Sequence, residues 1–294
     1  MHLRQSELEE MFSKTNRHQL ILDELQSEDW FNEEVTKGIE LIQDWLGDEY
    51  YESKQIRLAK LAKVKSLKSL VEYYFTASTM FYQNMPLVSA GSMLAHKLEP
   101  YFESKVDAIK TTVELIAVLI PCNIYQLYRN DTQQYCISSC IELEQDTLDK
   151  LNKLMYLPPL VEPAKPLTRN TSSGYHTIKR DSLILGNPKN YHDGNIGLDV
   201  LNILNKNKYK IDFDFISQVK EEPSEKTEQA LWEQYIEQRD YTYSLLSDYE
   251  VISLTHKSDK RGRIYSQGYH VNPQGDSFHK AMITLATEEI VPLD

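Results

Sequence analysis

The chain is poor in sulfur, in glycine and in positive charge, and each shortage excludes a class of protein. Cys122, Cys136 and Cys140 are its three cysteines. They are odd in number and carry no CxxC or His-rich spacing, which argues against a disulfide framework or a zinc finger. They suit a reducing compartment and are expected to be small buried hydrophobes. Only 10 of 294 residues are glycine, and none of them forms a phosphate-cradling Gly-rich loop. Long apolar runs are also missing. The longest, Leu115 to Ile120, is far too short to cross a bilayer. The opening Met1-His2-Leu3-Arg4-Gln5-Ser6-Glu7 lacks the apolar centre of a signal peptide, so neither membrane nor export is expected. The eight histidines include no HxxxH or HxH pair, and no metal is expected on this chain. There is no nucleophile motif, and the carboxylates form no group distinct from solvated helix charge.

Lys and Arg number 32 against 44 Asp and Glu, a net charge of −12. A general nucleic-acid coat is thereby disfavoured, because phosphate binding relies on positive charge that releases counterions. Two stretches run against this balance. Lys54, Arg57, Lys60, Lys63, Lys65 and Lys68 form one, and Lys257, Lys260, Arg261 and Arg263 the other. The first reads as a solvated helix face, with Lys54, Arg57 and Lys60 as possible secondary nucleic-acid contacts. Hydrophobic residues at 41% and charged residues at 26% are those of a soluble globular protein, with material for one large domain or two small ones.

Apolar spacing predicts an α+β fold, predominantly α. Leu20, Ile21, Leu25, Phe31, Val35, Ile39, Ile42 and Leu46 recur at helical intervals up to Gly47. A second helix is expected from Ser53 to Tyr74. A third is expected from Glu103 to Ile120, with Val106 among its inward residues and Pro121 ending it. The period then changes. Ile124–Tyr128 and Tyr135–Ile141 read as two strands around an Asn130-Asp131-Thr132 turn. Glu142–Met155 returns to helix. Pro158 to Pro166 must be an extended connector. Gly174–Ile178 and Ser182–Leu185 suggest a second hairpin, Val200–Phe213 a helix, and Glu225–Leu246 a longer one.

The end of the chain carries the chemistry. Asp259-Lys260-Arg261-Gly262-Arg263-Ile264-Tyr265 sets two guanidinium forks around a glycine that lets a phosphate backbone approach closely. Tyr265 offers a ring for stacking. Asn272-Pro273-Gln274-Gly275 is turn material, Asp276 or Ser277 can cap a helix, and Lys280 falls in its first turns. A lone RGR is a common solvated loop; the ordered set DKRGRIY, NPQG and Lys280 is much more specific.

That set resembles the DxRGRxY…NPQG…K segment of single-subunit RNA polymerases of the phage and mitochondrial type. Two upstream stretches resemble the same family in order. One is Pro159 to Pro166 followed by Gly174-Tyr175, with Leu167 where the family usually has Trp. The other is Asn202 to Asp212, which is similar to the family's NIxQNTxWKIN stretch, with Asn205, Tyr209 and Asp212 as replacements. The resemblance implies a helical N-terminal domain over 1–157, with a hairpin near 123–141. A proline-rich connector and pre-palm helix over 158–215 follow, then a reduced, acidic thumb over 216–250. The first palm segment, 251–294, comes last.

Family metal-binding aspartates come later in the chain than this segment, so the resemblance implies a split enzyme. This chain would be the non-metal-binding subunit of a DNA-directed RNA polymerase, inactive without a larger partner that carries the fingers, the rest of the palm and both Mg²⁺ ions. Arg261, Gly262, Arg263, Tyr265 and Lys280 would contact DNA template, nascent RNA or their hybrid, supported by Asp259, Asn272, Pro273 and Gly275. Asp259 would orient the arginines. The wedge hairpin of relatives maps to Arg129–Gln134, whose polar tip is poorly suited to parting duplex strands. An accessory DNA-opening or single-strand-binding protein is then a further expected partner. A helix from Ser277 to Thr287, with Ile290-Val291-Pro292-Leu293, is expected to join the larger subunit. The implied location is the cytoplasm of an infected bacterial host. Two other readings stay open: a non-catalytic helical phage regulator that binds a host protein, and an inactive polymerase remnant.

Overall fold

The structure, a computed structural model, describes residues 2–186 and 194–287. The architecture is mixed α+β, about 49% helix and 10% strand with small antiparallel sheets. Two compact units divide the chain, one of His18–Leu148 and one of the residues up to Arg17 together with those from Asp149 onward. The helices α1 (Gln5–Met11) and α2 (Lys14–Gln26) open the chain, and the division falls within α2.

In the unit of residues 18–148, α3 (Asp29–Gly47) buries Phe31, Val35 and Ile42 along one stripe. The expected helix 53–74 is two helices, α4 (Glu52–Leu61) and α5 (Leu67–Ser78). Ser66 causes the break, because its side chain accepts the amide of Ser69 and caps a new helix. Gly38 on α3 lets α5 come close: a Cβ there would stand 3.0 Å from Val71. A two-residue strand β1 (Met85–Pro86), α6 (Leu87–Leu94) and α7 (Lys105–Val118) follow. Pro121 sits in a 3-10 turn after α7. Val106, expected inside, is exposed because it lies in the first turn of α7, away from the buried Ala108 and Leu115.

The expected hairpin is present as β2 (Tyr125–Arg129) and β3 (Tyr135–Ser139), with β1 added to β3. The carbonyl oxygen of the Asn130 side chain accepts from the Thr132 and Gln134 amides and the Thr132 hydroxyl, which folds the turn. Cys122 and Cys136 are buried, but Cys140 is exposed just past the end of β3.

The division also falls within α8 (Gln145–Lys153), and the proline connector that follows belongs to the other unit. Leu160 is bridged to Ser253, with amide–carbonyl bonds in both directions. The helix expected over 200–213 stops early. α9 (Leu198–Leu204) ends at Asn205, and β4 (Lys208–Ile211) follows. Here sheet pairing overrides local pattern. β4 lies between β5 (Ile252–Ser253) and the later β8 (Ile283–Leu285), with Tyr209 turned inward. Next come α10 (Phe213–Gln218) and α11 (Gln229–Leu246). The strands β6 (His256–Ser258) and β7 (Ile264–Ser266) form a hairpin.

Three further expectations fail here. Residues 174–185 form no hairpin, because Ile184 instead bridges Ser258 in parallel and the amides exchange bonds with β6. The helix expected over 277–287 is α12 (Ser277–Ala281) followed by β8. Phe278, Met282 and Ile283, expected to face a partner, join Tyr243, Leu246 and Val271 in this unit's own core, whereas Leu285 is exposed. Ile290–Leu293 lie outside the described residues.

Candidate nucleic-acid interface

The turn between β6 and β7 is built around one carboxylate. Gly262 takes φ of +82°, which a residue with a Cβ rarely adopts, and donates its amide to the Asp259 carbonyl at 3.0 Å. Oδ1 of Asp259 accepts the amides of Arg261 (2.9 Å) and Arg263 (3.0 Å). Oδ2 accepts Nε of Arg263 at 2.6 Å and pairs with its Nη2 at 2.6 Å. Desolvation raises the Asp259 pKa, but the bonds from Arg263 and Arg261 outweigh it and hold the carboxyl below its ordinary range. The guanidinium of Arg263 thus stands in a fixed place, 5.8 Å from the Tyr265 ring centre, with donors left for a second anion. Arg261 is exposed, and its guanidinium forms no hydrogen bond or ion pair with the described residues. Lys257 is tied to Asp181 at 2.7 Å.

NPQG belongs to the same construction. The Gln274 side chain acts as one residue of a strand: its Oε1 accepts the Ser266 amide at 2.9 Å, and its Nε2 donates to the Ile264 carbonyl at 3.1 Å. Oδ1 of Asn272 accepts the Ser266 hydroxyl and the Gln274 amide, and its Nδ2 donates to the Gly268 carbonyl. Two polar side chains therefore clamp the NPQG turn to β7, on both sides of Tyr265. Gly275 makes room for α12, since a Cβ there would stand 2.6 Å from the His279 Cβ. Asp276 caps α12 by accepting the His279 amide, and Lys280 is exposed in its one and a half turns.

The three stretches that carry the resemblance meet in this unit. The Asn202 amide group bonds the Leu167 backbone in both directions, at 2.8 and 2.9 Å. Asn205 holds Nδ1 of the buried His256 at 2.9 Å. Burial pushes His256 down to about 4, so it is neutral at physiological pH. Tyr175 is half-buried against Thr255; desolvation pushes its phenol up to about 12 despite the Thr255 hydrogen bond. Beside the turn is a cleft of about 250 Å³, with Ile184, Val200, Leu201 and Ile264 in its wall and Asp259 and Lys260 at its rim.

The Lys54–Lys68 stretch is not a wholly solvated helix face. Arg57 is buried, with Nη2 2.6 Å from Glu114 and Nη1 3.0 Å from Thr111. Burial opposes its charge, and Glu114 more than restores it. Lys54 lies 3.5 Å over the Tyr50 ring and 3.8 Å from Glu114. Lys60 stands 5.9 Å over Phe102. Arg57 is therefore a packing residue, because α4 lies against α7 and needs its charge balanced there.

Sequence reading missed Gln274 as a strand mimic, the Asn205–His256 pair, and a group of Glu221, Asp276 and His279 whose ligand-type atoms lie within 4.8 Å of one another. An Asp-x-x-His spacing at 276–279 was the only local signal of that group; Glu221 joins it through the tertiary fold. No protein-family model matches the chain, and no curated protein matches its sequence.

Proposed function

We propose that this chain is the non-metal-binding subunit of a split DNA-directed RNA polymerase of the single-subunit family, where it contacts the template or the RNA–DNA hybrid. The observation that carries the reading is the clamped unit of β6, β7 and NPQG. It presents an Arg261 whose side chain has no partner among the described residues, a preoriented Arg263 and a flanking Tyr265 beside α12, which carries Lys280. Fixed guanidinium groups suit phosphate oxygens, because little order is lost on binding. Template-directed nucleotidyl transfer would take place on the larger subunit, where two Mg²⁺ ions stabilise the attacking and leaving oxygens. The Glu221–Asp276–His279 group does not suit that role: Mg²⁺ takes oxygen ligands, and here one donor is an imidazole and Glu221 is paired with Arg239.

The polar, Asn130-folded tip of the β2–β3 hairpin supports the expectation that duplex opening depends on another protein. The test is reconstitution. With Mg²⁺, nucleoside triphosphates and a single-stranded template, the chain alone should make no RNA. Adding a polymerase chain that carries the metal-binding aspartates should restore template-dependent synthesis. Synthesis by this chain alone refutes the split-enzyme reading, and failure of every such pairing to restore it favours a regulator or a remnant.

A further inference from the structure

We propose that Glu221 and His279, with Asp276, form a binding site for one divalent transition-metal ion of the zinc class. The site shares α12 with Lys280 but does not depend on the polymerase reading.

The geometry comes first. Oδ1 of Asp276 lies 2.9 Å from Nδ1 of His279 and also caps α12. A carboxylate on one imidazole nitrogen fixes the ring and enriches the other nitrogen as a ligand, the usual arrangement behind metal-bound histidine. That other nitrogen, Nε2, faces Oε1 of Glu221 at 3.8 Å and the Tyr235 hydroxyl at 3.2 Å. One donor atom from each of the three residues lies within 4.8 Å of the others. Zinc on Nε2 would take His279 and Glu221 as its protein ligands, and a shift of about half an ångström brings them to the roughly 3.3 Å that separates tetrahedral zinc ligands; Asp276 stays on Nδ1 behind the ring, and water completes the shell. Glu221 and His279 are largely buried, with side chains 5% and 11% exposed. A groove of about 380 Å³ past Phe215, Glu222 and Ser277 provides entry and room for water.

Charge points the same way. Arg239 bonds Oε2 of Glu221 at 3.0 Å and Asp240 at 2.7 Å. The guanidinium is thus shared by two carboxylates, and Asp276 adds a third negative group. At the groove mouth Lys220 and Glu222 offset one another. An excess of two negative charges remains around the groove, carried in part by the exposed Asp240 and Asp276, and a divalent cation would balance it.

His270 stands nearby, outside that group. His270 is buried, and neither ring nitrogen has a hydrogen-bond partner. Its ring packs 5.0 Å from that of Tyr235, the residue that also bonds Glu221 and His279. An imidazole and carboxylates without thiolate suit Zn²⁺, Mn²⁺ or Fe²⁺ rather than soft Cu(I). Metal would tie α12 to the segment after α10, holding Lys280 next to its ligand His279.

Tag-free chain stripped of metal should be titrated with Zn²⁺ against a chromophoric chelator, at about pH 7.5. One equivalent should bind. Glu221→Gln, which keeps the hydrogen bond from Tyr235, and Asp276→Asn should each weaken binding about 10–100-fold. Nitrogen-15 spectra of the wild-type imidazoles should show Nε2 of His279 shifting on saturation, with His18 and His96 unmoved. Absence of stoichiometric binding, equal affinity in wild type and Glu221→Gln, or a shift confined to other histidines overturns the proposal and leaves a hydrogen-bonded polar cluster.

Discussion

Replacing Arg261 by Ala separates a nucleic-acid contact from a structural arginine. The Arg261 side chain has no partner among the described residues, and only its backbone amide serves the turn, through Asp259. Alanine keeps that amide, so urea unfolding should match the wild type within about 0.5 kcal/mol, the range of surface substitutions. A charge-assisted bond to phosphate contributes about 1.5–3 kcal/mol, so affinity should fall about 10–100-fold at constant salt. The salt dependence should also change. Each neutralised phosphate adds about 0.9 to the slope of log K against log salt on duplex DNA, and about 0.7 on a single strand. The assay is fluorescence anisotropy of a labelled RNA–DNA hybrid with a single-stranded template overhang, across a salt series. The slope should drop by a little under one. An unchanged slope and affinity in a normally folded variant would refute the placing of this turn on nucleic acid.

Asn272→Ala removes three hydrogen bonds and strands the hydroxyl of the buried Ser266. Urea unfolding should register a loss of about 2–3 kcal/mol, and a loss under about 0.5 kcal/mol would contradict the clamp. Glu114→Gln leaves the buried Arg57 without its counter-charge; since Glu114 is partly exposed, the expected loss is about 1–2 kcal/mol, read as a lower midpoint with an unchanged m-value. His256 and His270 are neutral in the fold, with pKa values pushed down to about 4 by burial. The unfolded chain therefore binds protons first as pH falls below about 6.5, and stability present at pH 7 is lost toward pH 4. Between about pH 7 and 5 each should remove about 1–2 kcal/mol, and a flat denaturation profile over that window would show that they are not buried neutral.

Elements whose pattern is local follow from the order of neighbouring residues. The stripes of α3, α7 and α11 are legible because helical packing needs one apolar face every 3.6 residues. The β2–β3 hairpin is legible because Asn130 makes its own turn bonds. Residue type offered Asp276 or Ser277 as the cap of α12, and the fold uses Asp276. Tertiary structure decided the rest. Lys208–Ile211 and Ile283–Leu285 lie in segments of helical pattern and become strands only because each supplies the other's backbone partners across the fold. Arg57 reads as part of a basic stripe until α7 brings Glu114 against it. Gln274 and Glu221 carry no local signal: one becomes a strand mimic by docking on β7, the other a candidate ligand by meeting α12. Short-range geometry is written in neighbouring residues, whereas a buried polar group takes its role from whichever distant partner satisfies it, and packing chooses that partner.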